Sequence, residues 1–445
     1  MSAPPTDVVD RLQRLAAGAP GAGGDPDALW TRGRRRQRVR AGGVAAALVL
    51  VGLVGATTTP SLVERSQQVE PARTDKRMVL PDVIRQPGAW EPAFPSAPGK
   101  LSAVAMGVRG GLLSDRTALW GVSATTGESR FLDLPVAEQA VLSSDGSKLA
   151  YWASTGDAGE SADGRGAVPT SVQVLDLVTG EQQGWDPAAE HGLMVAGLAW
   201  AGDTLWFAQG AFEDAEQDGA QITTRTWRWG AAPERVDGPY ADDVGLRTVS
   251  QDPGGFLAAS GTAATDARRV DDDGSVSRIR FVTDKAVTMP HMSPDGIRVA
   301  GLEQERERLT FGAERLVVGT VDDGRAVMER VRPIGAQEVL GWRSPTEVVV
   351  LDASAGGDTD GDGVRETREL WVADLSDLDR PGYAPWIQLQ AATPHFAADA
   401  FAGDVVDAPD APFAPDPRLV GLGLLAGAFV AWRLVVRVRR RRGDA

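Results

Sequence analysis

One short unit recurs along the middle of this 445-residue chain. It consists of a polar turn built from Ser, Asp, Pro and Gly, a brief apolar run, a variable stretch, and a second apolar run closed by Asp and a Thr-Gly pair. The clearest copies are Ser143-Ser144-Asp145-Gly146 ahead of Lys148-Leu149-Ala150-Tyr151-Trp152, and Ser293-Pro294-Asp295-Gly296 ahead of Ile297-Arg298-Val299-Ala300. Looser copies start at Ala97-Pro98-Gly99-Lys100, Ala201-Gly202-Asp203, Asp252-Pro253-Gly254 and Ser344-Pro345-Thr346. With turns at residues 98, 145, 202, 253, 295 and 345, the copies lie 42 to 57 residues apart. A period of that size is the length of one four-stranded propeller blade.

The second halves of the unit read as strands too. Val172 to Leu177 leading to Thr179-Gly180, Leu119-Trp120-Gly121-Val122 leading to Thr126-Gly127, and Leu370 to Leu375 alternate or are apolar throughout. They lack the 3.6-residue period of helices. The expectation is therefore an all-β fold, a six-bladed β-propeller, with room for a degenerate seventh blade between Val79 and Trp90. Trp120, Trp152, Trp200, Trp206, Trp227, Trp229, Trp342 and Trp371 fall mostly in these runs, where packing between sheets is their default role. The pattern Ser-Pro-Asp-Gly, two residues, then Val or Leu and Ala, at Ser293–Ala300 and Ser144–Ala150, resembles the repeat of the TolB-type or WD40-like extracytoplasmic propellers. That resemblance spans about residues 97 to 390. It implies a six-bladed propeller serving as a binding platform.

Two uncharged apolar segments flank the repeats. Arg40 and Glu64 enclose 23 residues without a charge, enough at about 1.5 Å each to cross a hydrocarbon core of roughly 30 Å. The charged leader reaching residue 40 is long for a cleaved secretory signal of roughly 15 to 30 residues, which favours a retained anchor. A second segment, Leu419 to Val436, is interrupted by Arg433, which would have to snorkel toward the headgroups. Gly423, Gly427 and Ala431 would let it pack closely on another helix. Arginines cluster at 34–40 and 437–442, on the terminal side of each segment, which predicts both termini in the cytoplasm and the middle outside. The chain then divides into a basic cytoplasmic arm (1–40), a first transmembrane helix (41–63), a linker and propeller lead-in (64–96), the propeller (97–392), a Pro/Ala/Asp-rich linker (393–417), a second transmembrane helix (418–438) and a basic cytoplasmic tail (439–445). About 40 residues cannot form an independent core, so the arm can act only as a docking peptide or a lipid-surface segment. Asp27-Ala28-Leu29-Trp30 followed by Arg32-Gly33-Arg34-Arg35-Arg36 is similar to the arms of bacterial membrane proteins that accompany extracytoplasmic-function sigma factors. The similarity implies a cytoplasmic regulator bound there; otherwise the arginines simply orient the helix.

Charge follows the same division. Residues 1–40 and 418–445 hold 15 Arg and 5 Asp, leaving 31 basic against 56 acidic residues between them, a net of −25. So acidic a domain repels nucleic acid and anionic lipid, which points to a protein or glycan partner outside. No cysteine is present, so no disulfide staples the exterior.

Asp358-Thr359-Asp360-Gly361-Asp362-Gly363-Val364-Arg365-Glu366, with Glu369 at the twelfth position, has the spacing of a calcium loop. Calcium takes six to eight oxygens, and carboxylates at positions 1, 3 and 5 converge when Gly at position 6 permits a sharp reversal. Asp358, Asp360, Asp362, the Val364 carbonyl, and Glu366 or Glu369 form the expected ligand set. The flanking runs are strands, so the expectation is a structural Ca²⁺ clip on a β-hairpin. The acidic turns Asp271-Asp272-Asp273-Gly274 and Asp322-Asp323-Gly324 lack that spacing and read as plain hairpins. No Gly-x-Ser-x-Gly elbow or phosphate loop occurs, and His191, His291 and His395 show no ligand spacing. The function expected is a non-enzymatic binding, scaffold or sensor protein of the bacterial cell envelope. The alternative is a calcium-dependent propeller hydrolase or lyase acting on envelope glycans.

Overall fold

The computed structural model describes residues 77–111, 115–154, 168–214, 217, 219–237, 246, 248–259, 264–303, 314–352, 368–411 and 416–443. The N-terminal arm and the first apolar segment lie outside them. Two compact units divide the chain: one is Val69–Pro415, and the other includes Asp416–Ala445.

Two short strands, β1 (Val79–Pro81) and β2 (Val83–Arg85), precede a series of antiparallel meanders. The first meander holds β3 (Leu101–Arg109), β4 (Arg116–Ser123) and β5 (Ser129–Phe131). The second runs through β6 (Val136–Leu142), β7 (Lys148–Ala153), β8 (Ser171–Asp176) and β9 (Gln182–Trp185). The third contains β10 (Leu193–Ala201), β11 (Thr204–Ala211), β12 (Thr223–Arg228) and β13 (Glu234–Arg235). β14 (Thr248–Asp252), β15 (Gly255–Ala259), β16 (Asp266–Asp271) and β17 (Val276–Val282) make the fourth. The fifth is β18 (Val287–Met292), β19 (Arg298–Glu303), β20 (Glu314–Asp322) and the first half of β21 (Arg325–Ser344). The second half of β21 opens the sixth, which continues through β22 (Glu347–Asp352), β23 (Arg368–Asp374) and β24 (Gly382–Gln390). β25 (His395–Phe396) then pairs with β3, so the first meander takes its fourth strand from the far end of the chain. A 3-10 turn at Ala398–Ala402 and β26 (Asp404–Val406), parallel to β1, complete this unit. Six four-stranded meanders among the described residues make a β-propeller-like fold.

All six turn signals directly precede a strand as the repeat placed them: five lie ahead of a meander's second strand, and Ala97–Lys100 lies ahead of β3, which stands second in its sheet beside β25. At the two clearest copies the turn is built identically. Ser143 Oγ donates to Asp145 Oδ1 (2.8 Å), which also accepts the Ser147 amide (3.0 Å), while the Lys148 amide donates to Ser143 Oγ (2.9 Å). Ser293, Asp295, Ile297 and Arg298 repeat these bonds at 2.6, 3.1 and 2.8 Å. Gly146 and Gly296 take φ of +66° and +70°, open to glycine at no steric cost. In the second half of the unit, Asp176 Oδ1 accepts the Val178 and Thr179 amides, an Asx turn that reverses the chain. Asp323 and Gly324 both have positive φ, the hairpin turn expected there.

Apolar clusters lie between consecutive meanders. Trp152 and Val172 of the second pack with Trp200, Leu205 and Phe207 of the third. Trp206 and Ala208 of the third meet Phe256 and Val270 of the fourth. Leu257 and Phe281 of the fourth share a cluster with Val299 and Val317 of the fifth, and Leu316 and Val318 of the fifth share another with Val348 and Val350 of the sixth. One further cluster joins Val349, Leu351 and Ile387 of the sixth to Leu101 and Trp120 of the first and Leu149 of the second. Each fully buried Leu, Val or Phe adds roughly 1.5–3 kcal/mol, so these seams carry most of the cohesion.

The structure corrects three expectations. Residues 393–417 are not a plain linker, since β25, the 3-10 turn and β26 lie within them, β25 pairing with β3 and β26 with β1. Residues 79–90 form no seventh blade; β1 joins β26, and β2 extends the edge of β24 in parallel. In the C-terminal segment a helix, α1 (Pro417–Gly443), does form, with Asp416 Oδ1 accepting the Arg418 amide at its start. Yet among the described residues no helix is long and apolar enough to cross a membrane. The uncharged stretch Leu419–Trp432 rises only about 21 Å before Arg433 interrupts it. Leu419, Leu425 and Phe429 are 65%, 70% and 54% exposed along it.

Candidate functional site

Asp358, Asp360, Asp362, Val364 and Glu366, the expected calcium ligands, lie outside the described residues. Glu369 sits in β23 opposite Gln388 of β24. Among the described residues no cluster of three or more His, Asp or Glu could hold a metal.

What the fold does bring together is a line of polar side chains on the first strands of successive meanders. Asp252, at the end of β14 and 1% exposed, is the centre of it. Its Oδ1 meets His291 Nδ1 of β18 at 3.1 Å, and its Oδ2 accepts the Met292 amide (3.0 Å) and Arg269 Nη1 of β16 (3.3 Å). The neighbouring Gln251 clamps the backbone of Trp200 in β10, accepting its amide at 2.9 Å and donating to its carbonyl at 2.7 Å. Indole N–H groups continue the pattern, Trp200 to the Val141 carbonyl (3.4 Å) and Trp342 to the His291 carbonyl (3.0 Å). His395 of β25 accepts the Leu142 amide of β6 at 3.4 Å. Burial and then the nearby His291 hold the His395 imidazole down, to about 4. Burial also raises Glu338, against the opposing pull of His291 and Arg368.

A bulge in β18 aims His291 at Asp252. Met289 and Pro290 stand between the paired residues Thr288 and His291, and Met289 has φ of +46°. An L residue before proline pays for that conformation. The repeat pattern did not reveal these contacts, because Asp252 and His291 lie 39 residues apart and Asp252 is indistinguishable in sequence from an ordinary turn residue.

At one end of these strands is an open cleft of about 490 Å³, lined by charged side chains. Lys100 and Asp145 pair across it at 2.8 Å. Burial alone would raise Asp145, but hydrogen bonds from Lys100, Ser147 and Ser143 outweigh it and hold the carboxyl to about 2. Asp399, on the 3-10 turn, is pushed the other way by burial and by the negative charges of Asp145 and Asp272, with Lys100 opposing. Arg343 lies over the Trp386 ring at 5.6 Å. Such an arrangement suits reversible binding of a charged group.

No family model and no curated protein matches the chain. Among solved structures it is similar to TolB from Acinetobacter baumannii, with 13% identity over 68% of each chain and a TM-score of 0.39. Similarity also extends to a putative 6-phosphogluconolactonase from Bacteroides uniformis, with 13% identity, 65% of this chain and 99% of that one, and a TM-score of 0.32. Hydrazine synthase from Kuenenia stuttgartiensis aligns at 15% identity over 57% of this chain and 66% of its own, with a TM-score of 0.34. Likenesses this distant carry no functional argument, and the fold assignment rests on the strand pairings.

Proposed function

We propose that this chain is a non-enzymatic binding protein of the bacterial cell envelope, in which the six meanders form the blades of a propeller and the cleft beside Lys100, Asp145 and Asp399 receives a charged partner. The observation that carries this reading is the contrast between the two polar sites. Asp252, His291 and Gln251 are saturated by bonds that tie neighbouring meanders together, whereas the cleft is open and solvated. The propeller stands outside the cell, tethered by the uncharged segment 41–63. Asp358, Asp360, Asp362, Val364, Glu366 and Glu369 clip the β22–β23 loop around Ca²⁺, and the N-terminal arm is the docking point for a cytoplasmic regulator.

The test is photocrosslinking in cells from a reactive amino acid at Ala402, which lines the cleft. Discrete adducts that disappear in Lys100→Glu are expected. A pattern unchanged by that charge reversal, or turnover of envelope glycans by the purified protein, would overturn the reading.

A further inference from the structure

The cleft presents two opposite charges that do not meet. Among the described residues, the Arg77 guanidinium has no hydrogen-bond or ion-pair partner and the Asp399 carboxyl accepts no hydrogen bond, yet both line the same 490 Å³ space. Charges of opposite sign on one wall ordinarily pair at the surface for a few tenths of a kcal/mol. Here they do not pair, and the backbone beside them is closely packed. The Met78 carbonyl accepts the Asp404 amide at 3.0 Å, and a Cβ on Gly403 would stand 2.2 Å from that carbonyl oxygen. A Cβ on Gly146 would stand 2.1 Å from the Leu101 carbonyl. Arg343 is fixed between the Trp386 ring and Glu347 at 3.9 Å.

We infer that the cleft binds a small zwitterion, a free amino acid or short peptide whose carboxylate is taken by Arg77 and Arg343 and whose ammonium is taken by Asp399. The volume is in the range of small-molecule sites, roughly 300–1,000 Å³. A guanidinium recognises a carboxylate through two parallel N–H donors, and stacking on an aromatic ring presets its plane. Negative charge from Asp145 and Asp272 around Asp399, partly offset by Lys100, adds to the attraction for a cation. This inference rests on the cleft being the protein's binding site, and it names the ligand class.

The experiment is calorimetric titration of the full-length protein in detergent with the dipeptide Ala-Ala, its N-acetylated form and its C-terminal amide. Saturable binding of Ala-Ala is expected, weakened about tenfold by blocking either end. Asp399→Asn should weaken Ala-Ala about tenfold and leave the N-acetylated form unchanged. Arg77→Gln, at an exposed position, should do the reverse, sparing the amide. Equal affinity for all three ligands, or no saturation with Ala-Ala up to about 10 mM, would overturn the inference. If Ala402 crosslinks persist while Ala-Ala fails to bind, only the ligand class falls. Loss of both removes the site itself.

Discussion

Gly341 in β21 has a φ of +150°, and a Cβ there would stand 2.6 Å from the Phe401 ring. Phe401 is 2% exposed and packs on Phe396 at 5.0 Å, next to the strand that completes the first meander. Gly341→Ala is therefore expected to destabilise the protein by about 1–3 kcal/mol, read as a lower urea midpoint with an unchanged m-value. His395 carries a pH dependence of defined sign. Its folded pKa, about 4, lies below the ordinary 6.5, so the unfolded chain takes up the proton first. The stability is present above about pH 6.5 and is lost as pH falls toward 4, by up to about 3 kcal/mol. His395→Asn should flatten the urea midpoint between pH 7 and 4.5; an identical slope in wild type and variant would refute this.

Among the elements, the turns were legible because their chemistry is local: a Ser, an Asp and a Gly within four residues build the whole hydrogen-bond network. Strand periodicity was legible for the same reason. The two-residue strand His395–Phe396 was not, since nothing in its composition distinguishes it from a Pro/Ala-rich linker, and its partner lies almost 300 residues away in β3. The same distance in sequence hides the cleft, whose walls come from the start of the unit, two turns and the final 3-10 segment. Asp252 ties β14, β16 and β18 into one assembly. Asp252→Ala leaves His291 buried without its carboxylate and Arg269 with Asp271 alone, and should cost about 3–5 kcal/mol, measurable by urea denaturation. If the acidic loop holds calcium as proposed, millimolar Ca²⁺ raises the melting temperature of the wild type and not of Asp360→Asn/Asp362→Asn. A shift equal in both would remove the metal from that loop.

At the scale of the whole molecule, the sequence pattern specified six repeats but not how the last returns to the first. The return is made by β25 on β3 and by the shared core of the first, second and sixth meanders. A chain ending at Gln390 loses both β25 and Phe401, and is expected to unfold at lower urea with a broader transition. The same truncation made after Val406 should keep the native midpoint. Which side of the membrane displays the propeller is the claim on which the binding role depends. The chain has no cysteine, so single replacements report position without background. Ser376→Cys, in the exposed β23–β24 turn, and Ser2→Cys, in the N-terminal arm, should be compared in intact cells with a membrane-impermeant maleimide. Labelling at 376 with protection at 2 until the cells are lysed is the predicted result; protection of 376, or labelling of both before lysis, would contradict an extracytoplasmic propeller tethered by the N-terminal segment.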